Sequence, residues 1–134
     1  MFFKDNKNDE VLIKVAALLI HAAKIDENYS KKEKEIIKKT LLKIDSTNEK
    51  IEEIMSHAND INENSNHILD FTKEVKKMSN AYKIKIIEAL WRIIYSDNDA
   101  DIYETSLMRR LAGLLYIDNK TMADIKNKIK NENL

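Results

Sequence analysis

The chain has no cysteine, so a disulfide framework, a thiolate metal site and a cysteine nucleophile are all excluded. It has no proline and a single glycine, Gly113, and so lacks the residues that usually punctuate strands and tight hairpins. Lys, Glu, Leu and Ile dominate instead, and an almost wholly helical chain follows. Neither sign of charge prevails: 23 basic residues face 23 acidic ones, so no global field draws the protein onto nucleic acid. No hydrophobic run approaches the roughly 20 apolar residues that a bilayer span needs. The opening MFFKDNKNDE has neither an apolar signal region nor a small-residue cleavage site, and the expectation is a soluble, cytoplasmic protein with no transmembrane segment.

What is present suits one packed core. At 134 residues and 43% hydrophobic content, the chain is the size of one domain. From Glu10 to Ile25, Val11, Leu12, Val15, Leu18, Leu19 and Ala22 form an apolar stripe, which Ile13, Ala16, Ala17, Ile20 and Ala23 widen past one face. The next helix points Ile36, Ile37, Leu41 and Ile44 inward and Lys31, Lys34, Lys38 and Lys39 outward. Ser30 and Glu33 read as a capping box at its start, and Ser46 with Glu49 repeats that signature before a helix carrying Ile51, Ile54, Met55 and Ala58. The polar run from Asn59 to Asn66 reads as the longest loop. A short helix with Ile68, Leu69, Phe71, Thr72 and Val75 follows. Ser79 or Asn80 then caps a strongly apolar helix containing Ile86, Ile87, Leu90, Trp91 and Ile94. Asp101 with Glu104 opens a sixth helix bearing Leu107, Met108, Leu111, Leu114 and Leu115, and Asp118 or Asn119 opens a seventh with Met122, Ile125 and Ile129.

Two stretches follow one plan. Leu18–Glu33 and Ala89–Glu104 each run from an apolar helix into an acidic turn, opening on Asp26 or Asp97 with a Glu seven residues later. The offset is constant, since 97 − 26 and 104 − 33 both give 71. The reading is an all-α single domain over residues 1–134, with about seven helices in two pseudo-symmetric units. The first repeat spans about 10–58, a linker helix about 66–77 and the second repeat about 80–131, with the helices of Leu18 and Leu90 at the centre.

The acidic turns carry the candidate site. Asp97, Asp99 and Asp101 alternate along the chain with Glu104 close behind, and hard cations favour such clustered oxygens. The first turn offers Asp26, Asn28, Ser30 and Glu33, a weaker set. Neither is an EF-hand, because the sixth and twelfth positions hold Lys31 and Ile37, or Ile102 and Met108, instead of Gly and Glu. Two readings stand side by side: helix caps that offset the macrodipole, and weak binding of Ca or Mg concentrated at the second turn.

The pattern of apolar helix, Asp-x-x-x-[Asp/Ser]-x-x-Glu and second helix, given twice, resembles the TerB-like family of tellurite resistance proteins, relatives of the N-terminal domain of the DjlA co-chaperone. Glu88-Ala89-Leu90-Trp91-Arg92 leads into the second copy and Arg109-Arg110-Leu111 follows it. The resemblance covers about residues 11 to 130 and implies an all-helical fold, a place in tellurite or general stress resistance, and no established catalytic reaction. Members commonly read Ala-Asp-Gly at each turn, where this chain has Glu27 and Asn98 in place of the Gly.

The remaining features favour binding over catalysis. His21, His57 and His67 form no His-x-x-x-His or Glu-x-x-His pair, and there is neither a nucleophile elbow nor a phosphate-cradling loop. Trp91 reads as a core residue whose indole N–H finds a partner, and Glu88 with Arg92 as an intrahelical pair. The Lys-rich face from Lys31 to Lys43 reads as solvated. Phe2 and Phe3 are suited to docking on the domain, to a homodimer or to peripheral membrane contact. The leading expectation is a non-enzymatic interaction or adaptor module with a protein partner. The alternatives are a metal-dependent enzyme using Asp97, Asp99, Asp101 and Glu104, and a purely structural helical protein.

Overall fold

A computed structural model describes residues 7–25, 29–64, 68–97 and 102–132. Seven α-helices and no strand occur among them: α1 (Lys7–Ala23), α2 (Lys31–Ile44), α3 (Ile51–Asn64), α4 (Ile68–Lys76), α5 (Asn80–Ile94), α6 (Ile102–Leu114) and α7 (Asn119–Glu132), with a short 3-10 turn at Tyr95–Asp97 after α5. The all-α expectation holds. α1 packs against α2, α3, α4 and α5, which is why its apolar stripe is wider than one face: Leu12, Val15, Ala16, Ala17, Leu18, Leu19 and Ile20 are all buried. α5 contacts α1, α2 and α7 and buries Ile86, Ile87, Ala89, Leu90, Ile93 and Ile94. Leu18 and Leu90 thus lie in the middle of the core, as their helices' composition requires. α1 packs on α3, and α5 packs on α7.

α2 begins as its sequence dictates. The Glu33 N–H donates to Ser30 Oγ at 3.1 Å, and the Ser30 N–H donates to Glu33 Oε1 at 2.7 Å. The second expected box does not form. α3 starts at Ile51, with Lys50 O accepting from the Ile54 N–H at 2.8 Å, and Asn48 makes a side-chain turn just ahead of it: its Oδ1 accepts from the Lys50 N–H at 2.7 Å. The reason is tertiary. Asn48 Nδ2 donates to the buried carboxylate of Asp9 at 2.7 Å, and this fixes the amide with its oxygen towards the start of α3.

The expected loop from Asn59 is also helical, as far as Asn64. Its polar residues have partners on α1 and just beyond it: Asn59 Oδ1 accepts from Lys24 Nζ at 2.6 Å and Asn62 Nδ2 donates to Ala17 O at 3.1 Å, while Ile61 packs on the core. Local turn chemistry is overridden by these contacts. Ser79 caps α5, and Asp118 accepts from the Thr121 N–H to open α7. Glu88 and Arg92 do not pair along α5. Arg92 binds Glu132 through two 3.0 Å bonds and Glu88 accepts from Lys128, so both stitch α5 to α7. Lys83, only 7% exposed, donates to Leu115 O at 3.2 Å and supplies a cation to the C-terminal end of α6.

α6 ends in a Schellman motif. The Ile117 N–H donates to Ala112 O at 2.9 Å and the Tyr116 N–H to Gly113 O at 3.4 Å, which puts Tyr116 at the left-handed position with φ of 59°. Glycine normally takes that position. The chain's one glycine sits three residues earlier inside the helix, where an added Cβ would meet nothing within 4 Å.

Candidate functional site

At the first acidic turn, the described ligand candidates are Ser30 and Glu33, and both are engaged in capping α2. Glu33 is buried there. Tyr29 stands beside them with its ring 5.8 Å from Lys24 Nζ and 5.1 Å from Lys34 Nζ. Burial first, then Glu33 and Glu52, push its hydroxyl up to about 12. At the second turn Glu104 is buried in the first turn of α6. Asp26, Asn28, Asp99 and Asp101, and the side chain of Asp97, lie outside the described residues, as do Phe2, Phe3 and His67. Among the described residues no three His, Asp or Glu side chains gather into a metal-holding group.

The start of α2 and the end of α5 meet at one end of the bundle. Lys32, in the first turn of α2, donates through Nζ to Ser96 O at 3.4 Å, directly before Asp97. The Ser96 hydroxyl donates to Ile93 O at 2.6 Å and finishes α5. A protein ammonium therefore rests against the Ser96 carbonyl, just ahead of Asp97.

A second feature lies away from that end. Leu69 and Tyr116 are the large hydrophobic side chains left exposed among the described residues, at 53% and 72%. Leu69, Lys73 and Lys76 follow an i, i+4, i+7 spacing and share one face of α4, and Lys76 Nζ lies 4.4 Å from the Tyr116 ring centroid. A hydrogen bond from Lys76, assisted by its charge, lowers the Tyr116 hydroxyl pKa. The outcome is an apolar and cationic stripe with an aromatic ring held out at its end. Sequence reading passed over Tyr116, although a bulky residue at the expected glycine position after Leu114-Leu115 was the available signal.

The sequence matches the family model described as Tellurite resistance protein TerB over residues 12–127. The chain belongs to this family. No curated protein and no solved structure matches it. The helical architecture described above is thus the architecture of a TerB domain, and no helix among its described residues is long and apolar enough to cross a membrane.

Three further groups in this TerB domain were differently placed from expectation or not foreseen. Trp91 is buried, at 3% exposure, but its indole N–H reaches no acceptor among the described residues. Its ring stacks on Tyr95 at 5.9 Å and has Lys126 Nζ 5.4 Å from its centroid. His21 is half-buried, and desolvation followed by the charge of Arg110 lowers its pKa. Asp9, fully buried at the start of α1, is held by Asn48 and by Lys50 Nζ at 3.1 Å. On α2, Lys31, Lys32, Lys34, Lys39 and Lys43 are exposed, and Lys38 pairs with Glu52 at 2.9 Å, so that face is solvated as read.

Proposed function

We propose that this TerB domain is a non-enzymatic, cytoplasmic interaction module of a tellurite or general stress response, built from two related three-helix units, with the Leu69–Lys73–Lys76–Tyr116 stripe as its main contact for a protein partner. The observation that carries the reading is Tyr116. A non-glycine residue held at φ of 59° is strained, and here the strain accompanies a ring that is 72% exposed instead of one that packs. Tyrosine is also among the side chains that dominate binding energy at interfaces. The shared first-on-third helix packing of the two halves supports the repeat.

Tyr116→Gly separates folding from binding. Glycine is the preferred residue at that turn, so the variant is expected to gain about 1 kcal/mol of stability by denaturant unfolding. Capture of a partner from native lysate should fall by roughly 30-fold, the effect of removing a hot-spot residue worth about 2 kcal/mol. A variant that is stabilised but retains full capture sinks the assignment of this surface.

Weak ion binding at the second turn is the modulating element we attach to this module. The alternating carboxylates of that turn are what supports it, since hard cations favour clustered oxygens. Asp97, Asp99, Asp101 and Glu104 are the proposed ligands for Ca or Mg, ahead of Asp26, Asn28, Ser30 and Glu33, with dissociation constants on the order of 10⁻⁴ to 10⁻³ M. In an amide-shift titration Asn98 to Ile102 should move first, and Asp99→Asn should weaken the response with helicity unchanged. If these amides stay still at millimolar ion, the turns act as caps alone.

A further inference from the structure

Gly113 is the chain's only glycine, and nothing inside the molecule asks for it. It lies in the last turn of α6 with its surface exposed, its φ is not left-handed, and a Cβ added there would meet nothing within 4 Å. Glycine in a helix is destabilising relative to alanine, so the fold alone would be better served by another residue. What glycine does provide is a place where a second backbone can come close. That place adjoins the exposed ring. Tyr116 follows three residues later and donates its N–H to Gly113 O.

The neighbouring cations lack carboxylates. Lys73 and Lys76 are both exposed, and neither belongs to an ion pair among the described residues. The acids of α4 do not serve them, because Glu74 binds Lys77 at 3.7 Å and Asp70 follows Leu69 at the other end of the helix. Two such cations between an exposed leucine and an exposed ring are complementary to two carboxylates between apolar side chains. Leu69, Lys73 and Lys76 cover about 10 Å of α4 at a spacing that a second helix reproduces and an extended segment does not. An extended segment would also bring its backbone groups to a surface with no strand edge among the described residues. A lipid surface fits less well, since two apolar side chains anchor only marginally and 23 charges of each sign leave no overall attraction to it.

We propose that this face receives an acidic amphipathic helix of a protein partner, its carboxylates on Lys73 and Lys76, its apolar residues on Leu69 and Tyr116, and its backbone crossing α6 at Gly113. The inference rests on the interaction-module reading and adds the partner's chemistry and the residue that admits it.

The probe is a dye-labelled, crosslinked helical peptide with Leu, Glu, Glu and Leu at i, i+4, i+7 and i+11, compared with its Gln twin. Full-length protein should raise its anisotropy to saturation with a Kd on the order of 0.1 mM, and the twin should bind about tenfold more weakly. Lys73→Gln and Lys76→Gln should each cost about threefold, the worth of one exposed ion pair, and added salt should weaken binding. With one glycine in the chain, ¹⁵N-glycine labelling gives a single amide cross-peak, and the Glu peptide should shift it. Gly113→Gln is the decisive variant. Its unfolding midpoint should rise while peptide binding falls by about tenfold or more, a combination that a purely structural glycine does not give. No saturation by about 1 mM protein, equal binding of the twin, full binding by Gly113→Gln, or a lowered midpoint in that variant overturns the proposal. Tighter binding to phosphatidylserine vesicles than to the peptide overturns the partner helix in favour of a lipid surface. In lysate capture, loss with Tyr116→Gly but none with Gly113→Gln or the double lysine variant sinks this inference alone, whereas full capture by Tyr116→Gly sinks the reading beneath it.

Discussion

Replacing Leu90 by Ala is expected to destabilise the domain by about 2 to 5 kcal/mol, towards the upper end of that range. Leu90 is fully buried on α5, the helix that joins α1 and α2 to α7. The cost has two parts, the lost transfer of the isobutyl group and the cavity it leaves. The second is large here because Leu90 has no exposed surface and a close-packed interior relaxes only partly around a void. The measurement is a guanidinium or urea transition with a lowered midpoint and an unchanged slope, together with a fall in melting temperature on the order of 10 °C. Leu69→Ala is the control. At 53% exposure its cost should stay within about 1 kcal/mol, and comparable losses at the two positions would refute the placement of α5 at the centre.

Lys50→Met is the second large effect, at about 3 kcal/mol. Asp9 has no exposed surface, and Lys50 supplies its neutralising charge at 3.1 Å while Asn48 donates at 2.7 Å. Removing the ammonium takes a neutralising charge from a carboxylate that has no exposed surface. Asn48 and the N-terminal dipole of α1 offset part of the penalty, which keeps it at the low end for broken buried pairs. Asp9→Asn should be milder, about 1 kcal/mol, because Lys50 is 38% exposed and can be solvated once its partner is neutral. The double variant should then recover most of what Lys50→Met loses. A strictly additive double-variant cycle would mean that the two side chains do not depend on each other.

These two residues also show where the sequence was legible. Leu90 was readable because the periodicity of an apolar helix is a local pattern, and the same holds for the helix count, the central pair and the Ser30–Glu33 box, whose partners are three residues apart. The Ser46–Glu49 box was locally as good, yet the chain turns into α3 through the Asn48 side chain, which Asp9 engages from 39 residues away. No window around Ser46 contains that information. The extension of α3 through Asn64 fails to show for the same reason, since it depends on Lys24 and on the Ala17 carbonyl. At the candidate site, composition marked the acidic turns, and the family resemblance was written in the same residues. The Tyr116 stripe was not legible, because it depends on a φ angle at a helix end.

The order in which α1 finds its neighbours bears on how the domain is made. α3 and α4, on which α1 packs most extensively, are complete by Lys76, whereas α5 begins at Asn80. A growing chain emerging from the ribosome can therefore cover one flank of α1 early. The flank reserved for α5 stays bare until Ile94 has cleared the exit tunnel. During that interval a band of leucine, isoleucine and alanine faces water, the kind of surface that chaperones engage and that aggregates when they do not. The vulnerable species in the life of this protein is thus its half-made form, and a truncation between α4 and α5 should be the least soluble fragment that it can yield.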